Sequence, residues 1–149
     1  MKNILDPNIL TEVNTRIEAI STDSQRLWGT MTPEQMLFHC RGQLLISNGT
    51  LPSKKAFPAP VQWLLKKTYG AGVAFSKGMA TMPEIVSHEV SDLNFAEEKE
   101  RLKAVLKQFV DSPKTTIITS HPIFGEYTKD DWGKIIYKHL DHHFRQFGA

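Results

Sequence analysis

Read with a helical period, the stretch from Trp132 to Phe147 places Trp132, Ile136, His139, Leu140, His143 and Phe147 on one face. A stripe meant for burial is expected to be apolar throughout, and this one carries two imidazoles. Histidines four apart stand one turn above one another, so both reach a single metal ion from the same side. Spacing alone leaves two readings open: a metal pair, or two hydrogen-bonded core histidines. His142 lies well off that direction and reads as an outlying or surface residue, replacing His143 only if the helix is distorted.

The rest of the chain supplies partners for that face. Asp6-Pro7 is a helix start with a side-chain cap and proline at the first position, followed by Val13, Ile17 and Ile20 at helical spacing. Ser21 to Thr30 is a polar connection that holds Trp28-Gly29. Thr32-Pro33-Glu34-Gln35 is a capping box, and the helix it opens has Met36, Leu37, Cys40 and Leu44 as its core face, with His39 on the border. Asn94 with Glu97 opens a third helix with Leu102, Val105, Leu106, Phe109 and Val110 as its stripe. Thr128 with Asp131 opens the fourth. Lys114 to Ser120 has strand-like composition but no convincing partner strand, so it reads as an extended linker.

Between Thr50 and Asn94 prolines and glycines interrupt every period, apart from a short helical run over Val61 to Tyr69. A long irregular excursion inside a compact domain is either functional or decorative. Read as a cover, it packs across one end of the bundle through Trp63, Leu64, Tyr69 and Phe75. The expected fold is all-α: an antiparallel four-helix bundle over residues 1–149, one domain, with a long irregular insertion between the second and third helices.

Charge and cysteine content narrow the partners. A formal net charge of +2, with basic residues spread along the chain, gives no footprint for nucleic acid or an acidic membrane. No apolar run approaches a membrane span or a signal peptide, and Cys40 is alone, so a cytoplasmic location is expected. Cys40 reads as an inert core thiol, its alternative being a nucleophile or fourth ligand.

Two ligands leave a metal under-coordinated, and His39 is the candidate third. Three imidazoles from two helices make a site with open positions for water or substrate, as catalytic zinc has, and nitrogen donors also suit nickel, iron or cobalt. Metalloproteases share the spacing, but there a glutamate follows the first histidine, and here that position is Leu140. His121, followed by Pro122, reads as a turn residue whose loop folds over the site or lies apart from it.

The segment Trp28-Gly29-Thr30-Met31-Thr32-Pro33-Glu34-Gln35-Met36 with His39, then His121-Pro122-Ile123-Phe124-Gly125, Trp132, and Tyr137 through Gly148, resembles a DinB-like branch classed as a domain of unknown function. The resemblance spans nearly the whole chain. It implies a four-helix bundle with a divalent metal on three histidines, carried here by His39, His139 and His143. It also implies a homodimer and, by analogy with the wider superfamily, a metal-dependent transferase or hydrolase acting with a low-molecular-weight thiol as substrate or partner. A non-catalytic module for a small ligand, or a dimeric interaction protein, is the competing expectation.

Overall fold

The computed structural model describes residues 1–79, 81–87 and 90–149, and positions 80, 88 and 89 of the irregular segment expected between Thr50 and Asn94 lie outside the described residues. The chain is mostly helical. Five α-helices run in order as α1 (Pro7–Ala19), α2 (Pro33–Ser47), α3 (Ala59–Gly70), α4 (Phe95–Asp111) and α5 (Lys129–Gln146). None is long and apolar enough to cross a membrane.

The caps read from the sequence are formed. The Asp6 carboxylate accepts from the Asn8 N–H at 2.9 Å and Asn94 accepts from the Glu97 N–H at 3.1 Å. Reciprocal capping boxes join Thr32 with Gln35 and Thr128 with Asp131. Each satisfies N–H groups that have no partner inside the helix.

Packing centres on α2 and α5. α2 lies along α4 and also touches α5, while α1 packs on α5. The shared core is built from Val13 and Ile17 of α1, Leu37 and Leu44 of α2, Leu102, Leu106 and Phe109 of α4, and Trp132, Ile136, Leu140 and Phe144 of α5. Buried carboxylate Glu98 of α4 ties that helix to α2, accepting from Arg41 Nε at 2.9 Å and from Arg101 Nη1 at 2.8 Å. Lys99 donates to the Glu18 and Ile20 carbonyls, 3.0 Å each, so α4 also closes the C-terminal end of α1.

The irregular segment departs from expectation in detail. α3 extends the expected short helix at both ends, but Trp63 and Leu64 are 58% and 57% exposed rather than anchoring it. Only Gln62 of α3 is buried, and its side-chain N–H donates to the Pro122 carbonyl at 2.8 Å. Tyr69 and Phe75 do pack against the core. The expected linker after α4 begins as a 3-10 turn at Lys114–Thr116 and ends in a strand: β1 (Ser120–His121) pairs antiparallel with β2 (Gly125–Glu126). Two-residue strands are too short to show any alternation, which is why composition alone missed the pairing.

Candidate metal centre

The three histidines converge. His39 leaves α2 toward α5, and His139 and His143 leave α5 one turn apart, so that the three ring centroids lie 4.7 Å from one another. One nitrogen from each falls within 4.8 Å of the others, a cluster that can hold a metal ion. His39 Nε2 and His139 Nε2 stand 2.8 Å apart, a separation two bonds of about 2.0–2.1 Å to one ion would span.

Neighbours decide which nitrogens carry hydrogen. His39 Nδ1 lies 2.8 Å from the Ile85 carbonyl, an obligate acceptor, so Nδ1 donates and Nε2 keeps its lone pair. For His143 the assignment passes through Gln146. The Gln146 amide N–H donates to the Trp28 carbonyl at 2.8 Å, which turns its oxygen toward His143 Nδ1, also at 2.8 Å. That nitrogen therefore donates, and His143 Nε2 keeps its lone pair. Metal-binding histidines are commonly oriented by such outer partners. His139 Nδ1 is buried with no partner.

Burial also keeps the rings uncharged. Desolvation holds the His39 and His139 imidazoles below their ordinary pKa, with the neighbouring histidines adding to the effect at His139, and it pushes His143 down to about 3. Neutral imidazole is the form a metal takes.

Two glycines bring the outer partners within reach. Gly42 lies one turn after His39 on α2, and a Cβ there would sit 2.4 Å from Ile85 Cγ2. Its bareness lets the 3-10 turn Pro83–Ile85 lie against α2 and present the Ile85 carbonyl to His39. Gly29 has a φ of +75°, and a Cβ on it would meet Gln146 Nε2 at 2.6 Å. The Trp28-Gly29 pair thus delivers a carbonyl to Gln146.

The remaining candidates take different places. His142 is half-buried and borders the site, its ring 5.0 Å from that of His143 and 5.7 Å from that of Trp28. His121, expected in a turn whose loop folds over the site or lies apart from it, sits in β1 opposite Gly125, 1% exposed, with its ring 4.5 Å from Trp132 and 4.6 Å from Phe124. Its Nδ1 accepts from the Ile123 N–H at 3.0 Å, and burial pushes its pKa down to about 3. Cys40 is buried in the core, its thiol pushed up by desolvation, and lies outside the histidine cluster. Asp141, between the histidines on α5, is half-buried and paired with Arg16 at 2.8 Å.

A cavity of about 390 Å³ opens beside the three histidines, walled by residues including Trp28, Met31, Phe75, Met79, Ile85 and Phe124. His121 and His142 border it too. Among the described residues no Asp, Glu, Lys or Arg lines it.

Sequence reasoning missed Gln146, Gly42 and the Ile85 carbonyl. Gln146 had a readable signal, lying on the same helical face one turn past His143. The Ile85 carbonyl had none, because a backbone acceptor leaves no trace in residue type. Residues 2–149 match the family model described as "Protein of unknown function (DUF1569)". No curated protein and no solved structure matches the chain.

Proposed function

The chain belongs to the DUF1569 family, and we propose that it is a divalent-metal-dependent enzyme of the DinB-like kind, with His39, His139 and His143 as the ligands. The observation that carries this reading is the convergence of the three rings, one nitrogen from each within 4.8 Å of the others, with the outer hydrogen bonds from His39 to Ile85 and from His143 to Gln146 leaving Nε2 of both rings as lone pairs. That spacing between nitrogens of three uncharged rings is the arrangement that a shared ion requires.

In this reading α1, α2, α4 and α5 are the four helices of a single-domain antiparallel bundle, and the segment carrying α3 is the insertion between the second and third. Support comes from the packing of α2 on α4 and α5 and of α1 on α5. Three nitrogen ligands leave positions open, the pattern of catalytic sites, and zinc or nickel suits the donors best, with iron or cobalt as further options. His39, His139 and His143 would hold the ion, and a divalent ion there would supply a lowered pKa for a bound thiol or water, and so a nucleophile near neutral pH for transfer or hydrolysis. A cytoplasmic homodimer without nucleic-acid or membrane partners belongs to the same reading, and sedimentation tests its stoichiometry.

A second reading, a small-ligand-binding module without catalysis, draws on the lack of any carboxylate in the cavity wall among the described residues, since no acid or base besides histidine stands beside the cluster. The deciding measurement is metal content of untagged protein, compared with His143→Ala and His142→Ala. Loss of the ion from the first and retention by the second is expected. Full retention by His143→Ala rules out this ligand set.

A further inference from the structure

The cavity beside the histidines has a chemistry of its own. Its aromatic walls are Trp28, Phe75 and Phe124, and Met31, Met79 and Met82 add thioethers, which pack favourably against ring edges and adapt to irregular shapes. Among the described residues no ionised side chain lines it. Several polar atoms of the wall are already engaged: Gln146 with Trp28 and His143, Ser87 Oγ with the Met31 sulfur at 3.1 Å, and His39 Nδ1 with Ile85. A ligand carrying several charges would meet only neutral polar groups, such as Gln43, Thr81 and His142, and no ionised partner among the described residues, which leaves its charges poorly compensated.

Cations lie close to two of the rings. Lys77 Nζ lies 4.6 Å from the Trp28 ring centroid and Lys138 Nζ lies 5.2 Å from that of Phe75, while neither lysine lines the cavity. Their field disfavours a cationic occupant and accepts a single negative charge. The size is that of a small-molecule site.

We infer that the cavity takes a compact aromatic molecule, neutral or carrying one negative charge, with its donor atom toward the three imidazoles. Orientation of the donor rests on the metal reading; the aromatic preference does not. Multiply charged peptide thiols such as glutathione are thereby poor occupants, and an aryl-alkyl thiol is a good one.

The test uses full-length untagged protein with ¹³C-methyl-labelled methionine. Titration with indole is expected to shift the methyl signals of Met31, Met79 and Met82, and to leave Met1 and Met36 in place. Met79→Asp, at a position 40% exposed and so tolerant of a polar side chain, is expected to weaken indole binding about tenfold. In cobalt-loaded protein, 2-phenylethanethiol is expected to give thiolate-to-cobalt absorption at a concentration about tenfold below that needed with glutathione. Unmoved cavity methionines at millimolar indole, or glutathione binding as tightly as the aryl thiol, overturns the inference. Methionine shifts in a protein that takes up no cobalt would instead reject the metal reading and leave the aromatic cavity standing.

Discussion

The carboxamide of Gln146 determines which nitrogen of His143 carries the proton. With its N–H committed to the Trp28 carbonyl at 2.8 Å, only its oxygen can face His143 Nδ1. Sequence-distant backbone thus sets the tautomer of a residue in the last turns of α5.

Gln146→Leu keeps the size of the side chain and removes both bonds. Zinc affinity, measured by competition with a chromophoric chelator, is expected to fall about 10- to 100-fold, with helical content by circular dichroism unchanged. Gln146→Glu keeps an acceptor for Nδ1 but sets a second carboxylate oxygen against the Trp28 carbonyl in a buried place, so its zinc affinity is expected to lie below that of the unchanged protein.

Gly42→Ala tests the approach of Ile85. At an exposed helical position this change stabilises by about 1 kcal/mol. Here the new Cβ would sit 2.4 Å from Ile85 Cγ2, so the turn must shift. A loss of about 1–3 kcal/mol in urea denaturation is expected. Zinc affinity should fall with it, because the shift carries the Ile85 carbonyl away from His39 Nδ1.

Acid should destabilise the metal-free protein within a defined window. His121 and His143 have folded pKa values of about 3, below the ordinary value of 6.5. Above 6.5 both are neutral whether the chain is folded or not, and stability is at its full value. Between 6.5 and about 3 the unfolded chain binds protons that the folded one refuses, so stability falls as pH falls. Urea midpoints measured from pH 7.5 to pH 4.5 check the slope. His121→Phe, which keeps an aromatic ring against Trp132 and Phe124, is expected to flatten it.

Glu98→Gln removes the charge between α2 and α4 while preserving shape. Glu98 is 1% exposed, and Arg41 loses its charged acceptor. The expected cost is about 1–3 kcal/mol by urea unfolding. Arg101→Ala at a side chain 57% exposed is expected to cost less than about 1 kcal/mol.

Helical period carried most of the readable information. Trp132, Ile136, His139, Leu140, His143 and Phe147 were expected on one face, and all six are buried. The same period could not place His39 at a height along the bundle, because its depth relative to α5 depends on how α2 packs. Trp63 and Leu64 were expected as anchors on hydrophobicity alone, yet α3 docks through Gln62 and leaves them in solvent. His121 had no period to place it, and a two-residue strand paired to β2 buries it. Local rules reached the elements and the caps; contacts that depend on a distant carbonyl lay beyond them.

His139 stands between two proton addresses. Its Nε2 faces the lone pair of His39 Nε2 at 2.8 Å, so without an ion its hydrogen belongs there, and Nδ1 is a bare acceptor. With an ion bound at Nε2, His139 would carry that hydrogen on Nδ1 instead. The swap would be internal to one ring, so the His139 imidazole itself would give up no proton. In nitrogen-15 spectra of the histidine rings, metal-free His139 is then expected to carry its hydrogen on Nε2 and zinc-loaded His139 to carry it on Nδ1.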